Sequence, residues 1–226
     1  MSEKKIFKSL PQHRMNLVGD AESSELTLRK RNIQIQFLQE KGLTASDYLL
    51  DFGCGVLRGG IPLIDFLENS HYVGVDISEE RLKEGEAELR AQGLEHKSPI
   101  LLVDTPPYVK IVDLEMKFDF IWSYQTLIHM NDEILDSLFK IIPQLLKPSG
   151  EFYATASIGS KQRDGTWVAS RSRSGRKWGH WQEFPMCHRT LPCYEQLAEK
   201  YKMKTVHLED YHEDGQNVDC LNFTTI

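Results

Sequence analysis

Short apolar runs alternating with helical stretches set the strongest limit on what this chain can fold into. "DYLLDF", "YVGVDI", "ILLVD" and "FDFIW" each read as a buried strand. "GGIPLIDFLEN" and "SEERLKEGEAELRAQG" read as helices between the first three runs, while Pro106 and Pro107 mark the connection to the fourth. A helix over "NDEILDSLFKIIPQLL", expected to kink at Pro143, then leads through a turn at "KPSG" into the strand "EFYATAS". Ahead of the series, Leu26, Leu28, Ile33, Phe37 and Leu38 predict a helix from Ser23 to about Lys41, closed by Gly42. Such alternation implies right-handed crossovers, hence a doubly wound α/β fold: a mostly parallel, Rossmann-like sheet of about seven strands with helices on both faces.

The C-terminal part follows another rule. After the helix "LPCYEQLAEKY", the runs "MKTVHLEDY" and "VDCLNFTTI" are joined only by "HEDGQN". That is too short for a parallel crossover, so an antiparallel edge hairpin is expected.

Bulk composition narrows the function. At 226 residues and 26.1 kDa, one domain over residues 1–226 is expected. A net charge of −6 and a pI near 5.8 disfavour general binding to nucleic acid or anionic membranes. The first fifteen residues hold no apolar stretch like a signal sequence, and no segment approaches the roughly 20 apolar residues of a membrane span, so a cytoplasmic protein is expected. Cys54, Cys187, Cys193 and Cys220 lack CxxC spacing, and no metal is expected, even at "CHRTLPC".

The stretch "YLLDFGCGVLRGG" ends the first strand with Asp51 and puts four glycines among the eight residues Gly53 to Gly60. In open α/β sheets ligands bind at the carboxyl ends of the strands, and glycines there let the backbone approach them. A dinucleotide fingerprint needs GxGxxG, but Arg58 takes the third position. Asp76, 21 residues beyond Gly55, suits the ribose hydroxyls of NAD and of other adenosine ligands alike. Asp51 separates them, since a carboxylate there would repel a pyrophosphate but suits a ligand carrying an amino group and a sulfonium.

With these residues placed, the chain resembles the class I S-adenosylmethionine-dependent methyltransferases. "LLDFGCG", "VGVDIS", "LLVDT", "FDFIWSYQTLIHM" and "LLKPSGEFYAT" match the family's motifs in order, and the final hairpin fits its reversed seventh strand. The resemblance implies the cofactor S-adenosyl-L-methionine, with Asp51 near the amino group and Gly53, Cys54 and Gly55 along the methionine. It places Asp76 on the ribose, Ile77 against adenine, Asp104 near the adenine amino group, and Thr105 and Ser123 in the cofactor wall. His129 is the candidate base, and Tyr124 lines the cofactor or acceptor side.

Residues 158–188 form an inserted, acceptor-side region rich in arginine and tryptophan, in which Arg171, Arg173, Trp178, His180 and Trp181 are expected to meet the acceptor. Residues 1–25 read as a lid or tail, with Arg14 reaching the cofactor carboxylate. The expected reaction is methyl transfer to oxygen of a small, anionic metabolite. Nitrogen, RNA or protein acceptors, a non-catalytic cofactor-binding module and an NAD-dependent oxidoreductase are the alternatives, and the oligomeric state is left open.

Overall fold

The sheet of this protein is built around runs such as Leu49–Phe52 and Tyr72–Asp76, buried on both faces. The structure is a computed structural model and describes residues 21–159, 166–169, 186–209, 211 and 218–226. The chain divides into two units, residues 1–104 and 105–226.

In the first unit, helix α1 (Ala21–Glu40) precedes β1 (Leu49–Phe52), α2 (Gly60–Phe66), β2 (Tyr72–Asp76), α3 (Glu79–Ala91) and β3 (Ile100–Val103). The helix α1 starts two residues ahead of the expected Ser23. Gly42, at φ +102°, takes the left-handed position after it, and the Leu43 amide reaches back to the Leu38 carbonyl at 2.9 Å. The strands β1, β2 and β3 are parallel, with β2 in the middle; Asp51 stands beside Gly74, and Asp76 beside Val103. Every residue of β1 and β2 is buried, the pattern of a parallel sheet covered on both faces. Ser78 caps α3 by accepting from the Arg81 amide, and Glu79 and Glu80 in the first turn complement the helix dipole. An ion pair between Arg31 of α1 and Glu88 of α3 lies entirely inside, with the Arg31 Nε also donating to the Arg58 carbonyl at 3.0 Å.

The second unit contains α4 (Val109–Asp113), β4 (Phe118–Ser123), a 3-10 turn (Leu127–His129), α5 (Asp132–Leu145), β5 (Leu146–Ala156), β6 (Thr166–Ala169), β7 (Met186–Arg189), α6 (Leu191–Lys200), β8 (Met203–Leu208) and β9 (Asp219–Thr225). The strands β4 and β5 are parallel, β9 runs antiparallel to β5, and β8 antiparallel to β9. The expected C-terminal hairpin is present, with β9 inserted between β5 and β8. Phe139 of α5, Phe152 of β5 and Phe223 of β9 meet with centroids 4.9 to 6.0 Å apart and form the centre of this core.

Together β1 to β5, β8 and β9 make the seven-stranded, mostly parallel Rossmann-like sheet with antiparallel edge strands. One local expectation changes. "KPSG" is not a turn before β5: it lies inside the strand, where the register shifts between Phe118–Leu146 and Phe120–Glu151 and leaves a bulge. Pro143 sits in the last turn of α5, where the chain leaves the helix at an extended Leu146. The strands β6 and β7, and the short helix α4, had no counterpart in the sequence reading.

Candidate functional site

The carboxyl ends of β1 and β2 gather the first unit's polar groups. Asp51 is buried and accepts the Tyr72 hydroxyl on Oδ2 at 2.7 Å. Burial pushes its carboxyl from 3.8 up to about 7, against the pull of the Tyr72 hydrogen bond and with a smaller push from Asp76. Burial likewise drives the Cys54 thiol and the Tyr72 phenol well above their ordinary values, so both are neutral.

The loop after β1 folds back on β2. The amides of Gly53 and Cys54 both donate to the Val75 carbonyl, at 2.7 and 3.1 Å, and the Gly55 amide donates to Asp76 Oδ2 at 2.8 Å. Positive φ at Gly53 (+86°) and Gly55 (+55°) makes this turn, and a Cβ on Gly55 would stand 2.6 Å from the Arg81 guanidinium. Asp76 thus has a structural task, since its Oδ1 also accepts the Ser78 amide at 3.0 Å. A carboxylate offers about four lone-pair sites, which leaves capacity for a diol. Ile77, next in the chain, is 44% exposed, and a large apolar side chain left open beside such a carboxylate suits a flat adenine ring. Asp104 is buried just past β3, with its amide on the Asp76 carbonyl at 3.1 Å. A cradle that a Cβ would fill, an acid for an ammonium group and an acid for a diol fit S-adenosylmethionine.

In the second unit, Thr105 is exposed and Ser123 is fully buried at the end of β4. Tyr124 is buried and stacks on Trp122 with centroids 5.9 Å apart. His129 ends the 3-10 turn and is half-buried. Its loop is pinned twice: the Gln125 amide donates to Thr155 Oγ1 at 2.6 Å, and the buried Arg189 donates to the Met130 carbonyl at 2.7 Å and to Asp132 at 2.8 Å. His188, on β7, pairs with Ser157 at 2.7 Å and Cys193 with Thr190 at 3.2 Å, so "CHRTLPC" is engaged in other contacts. Among the described residues no cluster of three metal-ligating side chains occurs, and no helix is long and apolar enough to cross a membrane. Arg14, Arg171, Arg173, Trp178, His180 and Trp181 lie outside the described residues.

Sequence reasoning missed Tyr72 and Arg81. The alternation of a strand puts Tyr72, Gly74 and Asp76 on one face, but the register that brings Tyr72 to Asp51 is not written locally.

Residues 50–152 match a family described as "Methyltransferase domain". No curated protein matches the chain by sequence. Among solved structures, the chain is similar to magnesium protoporphyrin IX methyltransferase from Synechocystis PCC 6803 with bound SAM (13% identity, TM-score 0.61, covering 95% of this chain and 90% of that one). It is also similar to an S-adenosylmethionine-dependent methyltransferase from Clostridium acetobutylicum ATCC 824 (17%, TM-score 0.61, 94% and 96%) and to the glycopeptide N-methyltransferase MtfA (10%, TM-score 0.61, 84% and 92%). Residues 50–152 thus match a methyltransferase domain, and the solved neighbours share the chain's Rossmann-like fold.

Proposed function

We propose that the protein is an S-adenosylmethionine-dependent methyltransferase, that its methyl acceptor is a small anionic metabolite and that the transfer is to oxygen. The observation that carries this reading is the placing of His129, a half-buried imidazole on a doubly pinned loop just past β4. Methyl transfer from a sulfonium is an in-line displacement, helped mainly by positioning and water exclusion. A hydroxyl acceptor must also lose a proton, and an imidazole suits that task near neutral pH. Lys161, Arg163, Arg171, Arg173, Arg176 and Lys177, concentrated in a protein of net charge −6, favour an anionic acceptor. Trp178, His180 and Trp181 in the same region suit its walls, as does Tyr124.

On the cofactor side, Asp51 takes the amino group, Gly53, Cys54 and Gly55 the methionine, Asp76 the ribose, and Ile77 and Asp104 the adenine, with Thr105, Ser123 and Arg14 completing the contacts. Arg81, against Gly55, adds a described basic group beside the loop. Nitrogen is the alternative acceptor atom, as in the glycopeptide N-methyltransferase neighbour, and needs no base where the amine is already neutral. The full chain is to be incubated with S-adenosylmethionine and a panel of small hydroxy acids, phenolic acids, amines, RNA and protein, and the methylated product identified. An O-methylated acid is expected, with His129→Ala lowering kcat about 100-fold or more and sparing cofactor affinity. Methylation of nitrogen, or turnover only with RNA or protein, would contradict the proposal.

A further inference from the structure

Beneath the glycine loop lies a tyrosine that none of the matched motifs calls for. Tyr72 opens β2, is 1% exposed, and shares a face of the strand with Gly74 and Asp76. Two glycines make room for it. A Cβ on Gly60, the first residue of α2, would come within 2.5 Å of the Tyr72 hydroxyl, and one on Gly74 would meet the ring at 3.1 Å and Cys54 Sγ at 2.9 Å. The hydroxyl placed in this space donates to Asp51 Oδ2 at 2.7 Å. Among the described residues no second hydrogen-bond donor reaches the Asp51 carboxyl, so Oδ1 is left for a ligand.

We infer that Tyr72 is a positioning residue for the cofactor's amino-acid end: it holds Asp51 by one oxygen and leaves the other for the α-ammonium group, so that the methionine end is taken up only with Asp51 ionised. This rests on the S-adenosylmethionine reading of the loop. The groups facing Asp51 are Tyr72 and Asp76 from β2 and the Cys54 thiol from the loop, with the Arg81 guanidinium of α3 acting on that thiol. Burial holds the Asp51 carboxyl near 7, and the like charge of Asp76 adds to the rise. The sign follows from these groups. Below about pH 7 the free protein keeps a proton on Asp51, and binding an ammonium group must release it, so affinity falls as pH drops. The Tyr72 hydroxyl stabilises the ionised carboxylate, so its removal moves the midpoint upward. An α-amino group is half-deprotonated near pH 8, roughly, so the informative window lies below that.

The test is calorimetric titration of the full chain at pH 5.5 and 7.5 with two ligands, S-adenosylmethionine and 5′-methylthioadenosine, the second lacking the amino-acid end. A midpoint of about 7 predicts that S-adenosylmethionine binds about 25-fold more weakly at pH 5.5 than at 7.5, while 5′-methylthioadenosine changes less than about twofold. Tyr72→Phe, which keeps the ring, should weaken S-adenosylmethionine severalfold at pH 7.5 and shift the acid limb upward, with 5′-methylthioadenosine unaffected. Asp51→Asn should abolish the limb. An unshifted limb in Tyr72→Phe would overturn the positioning role, and equal limbs for both ligands would overturn its assignment to the amino-acid end. Wild-type protein that bound neither ligand at pH 7.5 would remove the S-adenosylmethionine reading itself, and this inference with it.

Discussion

Asp51 is buried beside the Tyr72 hydroxyl and the like charge of Asp76, with its carboxyl raised by burial to about 7. That has a consequence for stability as well as for binding. In the unfolded chain the group ionises near 3.8, so between that pH and about 7 the folded state holds the extra proton. Stability from this group is therefore fully present below about pH 4 and is lost as pH rises through about 7. The shift of about three units corresponds to about 4 kcal/mol. Urea unfolding of ligand-free wild type and Asp51→Asn, compared from pH 4 to 8, should show the variant gaining on wild type with rising pH, by up to about that amount. A gap that stayed flat with pH would show that Asp51 ionises as freely in the folded protein as in the unfolded one. Part of this scale was legible in the sequence: the strand-end positions of Asp51 and Asp76, and the turn at Gly53 and Gly55, follow from where the apolar runs stop. Tyr72 was not legible, because its meaning depends on strand register and on space left by Gly60 and Gly74.

Elements formed where periodicity and end signals agreed. The helix α3 has Ser78 at its start, acids in its first turn and Arg90 in its last; α1 ends at a left-handed Gly42. "KPSG" misled because Pro148 and Gly150 carry real turn chemistry, yet the bulge opposite β4 absorbs them. Lys147 there pairs with Asp119 at 2.6 Å, and a Cβ on Gly150 would stand 2.6 Å from the Phe118 carbonyl, features that only the cross-strand partner explains. The Arg31–Glu88 pair was hidden for the same reason, since nothing in either helix alone tells that both charges will be fully buried. Removing one partner leaves a buried charge, whereas removing both does not. Glu88→Ala should cost about 3–5 kcal/mol in urea unfolding, and Arg31→Met with Glu88→Leu should recover most of it. Equal losses in the single and double variants would mean that the pair contributes through packing rather than charge.

For the whole molecule, the order of strands and helices, with a reversed final hairpin, was readable because crossover length leaves few choices. The family match over residues 50–152 runs from β1 into β5, across both units of the chain. The proposed acceptor was less legible, because the residues proposed for it, 158–188, carry charge and aromatic content but follow no spacing rule. The measurement that bears most directly on the cofactor chemistry is calorimetric titration of the full chain at pH 7.5 with S-adenosylmethionine and with NAD, repeated on Asp76→Ala. Saturable binding of S-adenosylmethionine with one site per chain, no heat with NAD, and a loss of at least about 100-fold in Asp76→Ala are expected, since that carboxylate, proposed to meet the ribose, also holds the Gly55 amide. Saturable binding of NAD with none of S-adenosylmethionine would contradict it.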